Sequence, residues 1–430
     1  MKHFKPTEYT LRCVATGEEF EDSGWTLDYP TCSEPSLIRT QYGQRQLTLS
    51  DDTGLYKYRN WLPMRRELHC DAAPITYRSK HLAKALGLEN LFITFSGYYP
   101  ERGAAMTTCS FKECEAYAVC ARTDVDENRV LVVASAGNTA RAFAKVCSEN
   151  NIKLLLLVPA DNLDALWFNA PINRECVKLI ACGQGCDYYD AIALSELLLS
   201  SPMFYAEGGA KNVARRDGMG TTLLSATTEI GRIPDYYFQA VGSGTGAIAA
   251  WEANLRLIDD GRFGSHLAQL MVSQNAPFLP MYSAWRSNSR ELLPYDATLA
   301  RRDAAEIEAK VLSNRRPPYS IAGGLRDAIV ATNGDVLSVS NAEVKAASQL
   351  FLSTEKVDVH PAAAVAVASL AKEVSRERID REATIMLNIT GGGETRFRAE
   401  HRIYHLQPDH IFQLGSNREE VVLKVEELFA

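Results

Sequence analysis

One lysine and three turns of small residues are the parts of this 430-residue chain whose types and spacing could do covalent chemistry. Lys112 stands in "TTCSFKECEA" (107–116), where the spacing predicts the start of a helix, "KECEAYAVCARTDV". Most lysines are solvated and need no explanation. A cation at a helix N-terminus is electrostatically disfavoured, so this one asks for another reason. An amine bound as an imine is such a reason. Ser135, Ala136, Gly137, Asn138 and Thr139 lie in "ASAGNTARA" (134–142), between a predicted strand and a predicted helix. Small side chains there let backbone amides meet a carboxylate; equally, Asn138 or Thr139 can simply cap the helix. Gly242, Ser243, Gly244, Thr245 and Gly246 follow the strand "YYFQAV" and open another helix. Strand, glycine-rich turn and helix make a phosphate cradle. A dinucleotide fingerprint has the same outline, but no acidic ribose partner follows about 20 residues on. Last, Thr390 ends an apolar strand ahead of three glycines in "MLNITGGGETR" (386–396), which is either a hydroxyl set beside open backbone or a plain turn.

Taken in order, these four pieces have a common user. Pyridoxal phosphate needs an amine for its aldehyde, a cradle for its phosphate and partners for its ring.

The elements that must position them follow an alternating pattern. "RVLVVAS", "IKLLLLVPA", "CVKLIAC" and "PMFYAEGG" read as buried parallel strands with helical stretches between them. A second series runs from "DYYFQAVGSG" to "ATIMLNITGGG". Alternation of this kind predicts parallel sheets covered by helices, so the chain is expected to be an α/β protein of two units with a cleft between them. Residues 1–65 differ and read as short strands and turns. The expected units are 1–65, a larger one of 66–115 with 231–430, and a smaller one of 116–230.

A net charge of -7 with no long basic block argues against nucleic acid or an anionic membrane as partner. No run of about 18 apolar residues appears, and "MKHFKPTEYT" lacks the apolar stretch of an export signal, so a soluble cytoplasmic protein with reduced thiols is expected. A homo-oligomer, dimer or trimer, is also expected. The ten cysteines lack metal spacing. Cys13 and Cys32 sit where a zinc ribbon would carry pairs, but each is single; Cys182 with Cys186, and Cys109, Cys114 and Cys120, read as local thiols. No metal is expected.

The chain resembles the fold-type II pyridoxal-phosphate enzymes, and among them the threonine synthases. The resemblance is carried by "APITYRSKHLAKALGLENLFI", "SFKECEA", "SAGNTARA", "GGAKNVARRDGMGTT", "GSGTGA" and "NITGGG", which span most of the chain. It implies that Lys112 binds the cofactor's aldehyde, Asn138 the ring hydroxyl, Gly242 to Gly246 the phosphate, and Thr390 the pyridine nitrogen. Two departures matter. Glu113 and Cys114 stand where threonine synthases have Asp-Arg, and Met106 to Cys109 replace Asn-Pro-Thr-Gly. With its degenerate N-terminus, its "SFKE" lysine and its "NITGGGE" ending, the chain is similar to the cysteate synthases of methanogenic archaea. That likeness implies formation of L-cysteate from O-phospho-L-serine and sulfite, on a route to coenzyme M.

On this reading the Ser135–Thr139 turn takes the substrate carboxylate, and cations must meet the other anions. Lys211 is the preferred candidate, because it follows Gly208 and Gly209 at a predicted strand end; Arg215, Arg216, Arg141 and Arg102 are the others, each equally readable as a solvated charge. His360 in "DVHPAAAVAVA" is expected to cap or abut a helix. The rival readings are a threonine synthase acting on O-phosphohomoserine, a β-eliminating lyase or dehydratase, a non-catalytic pyridoxal-phosphate binder, and a nucleotide-binding protein.

Overall fold

Strands covered by helices on both faces have no polar side, which is why Val, Leu and Ile crowd the runs between 130 and 182. In the computed structural model, which describes residues 4–125, 127–135, 137–186, 188–413 and 415–429, those runs pair as expected. Phe204–Ala206, Val130–Ala134, Leu154–Pro159, Val177–Cys182 and His410–Phe412 form one five-stranded sheet in that order, parallel throughout. Asp335–Val339, Gln269–Asn275, Tyr236–Ala240, Thr384–Ile389, Asn90–Phe95 and Ile75–Arg78 form a six-stranded sheet. It too is parallel, except for its antiparallel edge strand Ile75–Arg78. The α/β class with two parallel sheets is therefore the observed one.

One boundary departs from the sequence reading, which put all of 231–430 in the larger unit. Ile180 to Cys182 pair with His410 to Phe412, so the chain's last strand belongs to the five-stranded sheet. The helix Arg418–Glu426 follows it and buries Val421 and Val425 against that same layer. Three residues with one exposed apolar side chain, Ile411, make too short a pattern to be seen in sequence.

The N-terminal segment forms an antiparallel sheet, Glu19–Phe20, Tyr9–Cys13 and Ile38–Tyr42. Leu11 and Ile38 bury against Val213, and the Thr40 and Tyr42 hydroxyls donate to Asp217 at 2.7 and 2.6 Å. The sheet is thereby fixed to the helix Val213–Ile230. All ten cysteines are free thiols, nine of them buried. Among the described residues no group of three His, Cys, Asp or Glu is placed to hold a metal ion, and no helix is long and apolar enough to cross a membrane.

Three helices packed together carry the site. Lys112–Arg122 is buried from Glu113 onward and lies against both Asn138–Asn150 and Val213–Ile230. Gly218 permits the second contact, since a Cβ there would fall on the Cys114 carbonyl oxygen and lie 2.6 Å from Ala118 Cβ. A close helix crossing of this kind needs a residue without a side chain.

Candidate active site

A cavity of about 640 Å³ collects all four sequence features. Lys112 lines it together with Ser135, Gly137, Asn138 and Thr139, the whole Gly242–Gly246 loop and Thr390. Ala136 lies outside the described residues. A volume of this size suits a small cofactor with its substrate.

Lys112 is the first residue of its helix, and Phe111 before it provides no side-chain cap. The chain offsets the unfavourable cation by placing two carboxylates in the first turn, Glu113 and Glu115, both fully buried. They do different things. Glu113 Oε1 accepts the Thr108 amide at 2.6 Å and so holds the turn ahead of the lysine. Glu115 Oε2 accepts from Lys112 Nζ at 2.9 Å, while its Oε1 accepts from Arg215 at 2.6 Å. Arg215 Nε lies 3.1 Å from Glu207 Oε1, and the Gly209 amide donates to the other Glu207 oxygen at 3.0 Å. A buried row of alternating charge thus runs back from Lys112. Burial alone would lift the Glu115 carboxyl, but Arg215 and Lys112 hold it below its ordinary value. Burial wins at Glu207, which is pushed up to about 7 despite Arg215, with Glu115 adding to the rise.

The turn after strand Val130–Ala134 is built around Ser135. Its Oγ accepts the amides of Gly137 at 3.1 Å and Ala140 at 3.0 Å, so this hydroxyl, and not Asn138 or Thr139, caps the helix. With both acceptor positions used, the hydroxyl hydrogen is left to donate outward. Asn138 Oδ1 accepts from Arg141 at 3.0 Å, which leaves its amide nitrogen for another partner. Arg141 also donates to the Thr108 and Ala165 carbonyls at 2.8 and 2.9 Å and stacks 4.1 Å over Trp167. Burial pulls this guanidinium down to about 10, with the charge of Glu394 opposing.

The Gly242–Gly246 loop leaves strand Tyr236–Ala240 and starts helix Thr245–Asp260. Gly244 has φ +80°, a left-handed conformation that favours glycine, and a Cβ there would lie 2.7 Å from Leu325 Cδ2. Ser243 and Thr245 share a hydroxyl contact at 2.8 Å. A cradle of small residues at a helix N-terminus, with two hydroxyls in it, fits a phosphate monoester.

Thr390 is delivered to Lys112 by backbone. The Phe111 amide donates to the Thr390 carbonyl at 3.0 Å, and Ser110 forms an antiparallel bridge with Gly391. The residues before the lysine are thereby hydrogen-bonded to the end of strand Thr384–Ile389. Lysine, glycine loop and strand-end hydroxyl together fit pyridoxal phosphate, as its chemistry requires.

The cations proposed from sequence divide. Lys211 and Arg215 line the cavity; Lys211 is half exposed and paired with Asp28 at 2.8 Å. Arg216 does not line it: fully buried, it pairs with Glu252 at 2.8 Å and donates to the Ile38 and Ala210 carbonyls. Arg102 stacks 4.4 Å from the Tyr77 ring, away from the cavity. Arg141 acts on Asn138. His360 holds the N-cap position of helix Pro361–Ser375 without a side-chain cap; its Nε2 instead meets Glu394 at 2.9 Å, and the ring lines the cavity. Burial would raise Glu394, but His360, then Arg141 and Arg398, hold it at about 2.

Sequence reasoning missed Glu115, Glu207, Arg315 and Arg316. The last two line the cavity from the segment after the short turn Lys310–Leu312. No local motif marks them; only the adjacent prolines in "RRPP" hint at a fixed turn.

Comparisons with known proteins point to the same cofactor. The sequence profile of the pyridoxal-phosphate dependent enzyme family matches residues 77–391. The chain is similar to the cysteate synthase of Methanosarcina mazei, 45% identical over 93% of this chain and 96% of that one. It is likewise similar to the cysteate synthase of Methanospirillum hungatei, 44% identical over 98% of each chain. Among solved structures, a pyridoxal 5'-phosphate-dependent aspartate racemase covers 74% of this chain and 90% of its own, with a TM-score of 0.56 at 15% identity. Maize serine racemase covers 76% and 91%, with a TM-score of 0.56 at 15% identity. These two speak for the fold alone.

Proposed function

The chain belongs to the cysteate synthase family of pyridoxal-phosphate-dependent enzymes, and on that premise we propose that it converts O-phospho-L-serine and sulfite to L-cysteate and phosphate. The observation that supports this most is the joining of Lys112 to Thr390 through the Ser110–Gly391 bridge, inside a cavity that also holds the glycine loop. Lys112 would hold the cofactor covalently, the Gly242–Gly246 loop its phosphate, Asn138 its ring hydroxyl and Thr390 its ring nitrogen. When bound, the cofactor draws electrons from the substrate's Cα, which acidifies the Cα proton and lets a Cβ substituent depart with its electron pair.

The chain's own groups do the rest. The Lys112 amine takes the proton from Cα as general base. Glu115, 2.9 Å from Nζ, then holds the resulting ammonium where it can return the proton once sulfite has added. Ser135, its acceptor positions already used by the Gly137 and Ala140 amides, donates to the substrate carboxylate beside the Thr139 amide. Arg141 fixes Asn138 with its amide nitrogen available to the ring oxygen. The product would enter a route to coenzyme M, and the enzyme would act in the cytoplasm as a homo-oligomer.

The test is direct. Purified protein is given O-phospho-L-serine and sulfite, and cysteate and phosphate are measured together; equal amounts of each are expected. Threonine made from O-phosphohomoserine would overturn the reading in favour of a threonine synthase. Pyruvate released without any need for sulfite would overturn it in favour of a lyase.

A further inference from the structure

A glutamine in the middle of a parallel sheet asks for a reason, because a buried carboxamide without hydrogen bonds is costly. Gln239 is such a residue. Its strand, Tyr236–Ala240, is paired on both edges, with Gln269–Asn275 and Thr384–Ile389, and its side chain is 3% exposed. The oxygen is doubly held. The Tyr237 hydroxyl, two residues back and so on the same face, donates to Gln239 Oε1. Asn388 Nδ2, from the neighbouring strand, donates to that oxygen at 2.9 Å and to the Tyr237 hydroxyl oxygen at 2.9 Å. Asn388 Oδ1 is left buried without a partner, so the network holds the glutamine at the expense of its own completion.

With the oxygen held, the nitrogen is placed as well. A Cβ on Gly246 would lie 2.5 Å from Gln239 Nε2 and 3.0 Å from Oε1, so the nitrogen is the end that meets the glycine loop. Gly246, lacking a side chain, leaves room for it. Gln239 lines the same cavity as Gly242 to Gly246. The two hydrogens on Nε2 find no acceptor among the described residues. The loop itself carries no cation. An anion there is met by backbone amides, by the Ser243 and Thr245 hydroxyls and by the positive end of the helix. An N–H that donates to an ionised oxygen makes a stronger hydrogen bond than one to a neutral oxygen.

We infer that Gln239 donates to the phosphate of the bound cofactor, from the strand that leads into the glycine loop, and that Tyr237 and Asn388 are positioning residues that hold its oxygen. The inference rests on the proposed cofactor site and adds to it a side chain that stands three residues before the loop, outside any turn motif.

The full chain is titrated with pyridoxal phosphate and, separately, with pyridoxal, which has the same aldehyde and ring but no phosphate. Binding is read from the visible absorbance of the bound compound. Gln239→Leu should weaken pyridoxal phosphate about tenfold, the loss of roughly 1.4 kcal/mol, and leave pyridoxal unchanged. Gln239→Glu, of the same size, should weaken pyridoxal phosphate further, because a carboxylate repels the phosphate. Tyr237→Phe, which frees the Gln239 oxygen, should show part of the same selective loss. In cofactor-saturated Gln239→Leu, the affinity for phosphoserine, read from the absorbance change it causes, should stay as in the native chain. Equal losses for the two compounds, no loss for either, a glutamate that binds as tightly as the glutamine, or a loss that falls on phosphoserine instead would each overturn the assignment. These titrations need no turnover. Absence of cysteate would therefore remove the proposed function and leave the assignment standing, whereas a native chain that bound pyridoxal as tightly as pyridoxal phosphate would remove the phosphate site on which it rests.

Discussion

Replacing Glu207 by glutamine probes the buried charges behind Lys112 in a way that pH makes quantitative. Glu207 follows the strand Phe204–Ala206 and is 6% exposed. Burial, opposed by Arg215 and helped by Glu115, lifts its carboxyl from an ordinary 4.5 to about 7. The folded protein therefore holds this proton more tightly than the unfolded chain does. The stability it gives is fully present below pH 4.5 and is lost as the pH climbs to about 7. At about 1.4 kcal/mol per pH unit, that rise corresponds to on the order of 3 kcal/mol. A glutamine in this place imitates the protonated carboxyl and does not titrate. The Glu207→Gln variant should thus be more stable than the native chain at pH 8, by on the order of 3 kcal/mol, and the gap should shrink to under about 1 kcal/mol at pH 5. Glu115, held below its ordinary value, works in the opposite sense: its contribution is present above 4.5 and disappears in acid, in both proteins. Thermal unfolding of both, from pH 5 to pH 8, reads the difference. At roughly 2 °C per kcal/mol for a chain of this size, the two midpoints should diverge by about 5 °C across the range. Midpoints that run parallel would show that burial does not hold the proton on Glu207, and the reading of its raised carboxyl would fail.

Other substitutions follow from the same geometry. Lys112→Ala should abolish both the visible absorbance of bound cofactor and cysteate formation, because among the described residues no other lysine lines the cavity except Lys211, which pairs with Asp28; spectra of the purified variant check this. Gly244→Ala forces a Cβ to within 2.7 Å of Leu325 in a backbone at φ +80°, a strain of about 1–2 kcal/mol, so cofactor titration should show binding weakened about tenfold. Gly218→Ala drives the Val213–Ile230 helix off Cys114 and Ala118; overpacking of this kind costs about 1–3 kcal/mol, and the thermal midpoint should fall even without cofactor.

What the sequence disclosed, it disclosed through local chemistry. Lys112, the Ser135–Thr139 turn, the Gly242–Gly246 loop and Thr390 each sit at the junction of a strand or turn with a helix or glycine run, and such junctions have short signatures. The parallel strands were legible for the same reason, as unbroken apolar runs. The hidden residues make their contacts across long stretches of chain. Glu115 meets Arg215 across 100 positions, and nothing near either one announces the pair. Arg216 and Arg141 have the composition of surface cations, yet they are buried because carbonyls and carboxylates brought from elsewhere satisfy them. Ser135 took the capping role because its hydroxyl, two residues ahead of Gly137, reaches the Ala140 amide before Asn138 can. The Cys13 thiol keeps a trace of the ribbon pattern: burial would lift it, but hydrogen bonds from Thr16, Ser36 and Cys32 draw it down to about 7.

The four residues Lys112 to Glu115 are best understood as a unit. A lysine stands at the head of a helix, where the helix dipole opposes its charge. Glu113 ties down the preceding turn through the Thr108 amide, Cys114 offers its carbonyl face to Gly218, and Glu115 takes the lysine's charge. Neither Glu113 nor Cys114 lines the cavity. The departure from Asp-Arg at those two positions therefore cannot choose the substrate by touching it. Any choice it makes passes through Glu115, which the altered motif carries one residue further on. Glu115 holds Arg215 against Glu207 and so removes one guanidinium from the set that could meet a free anion.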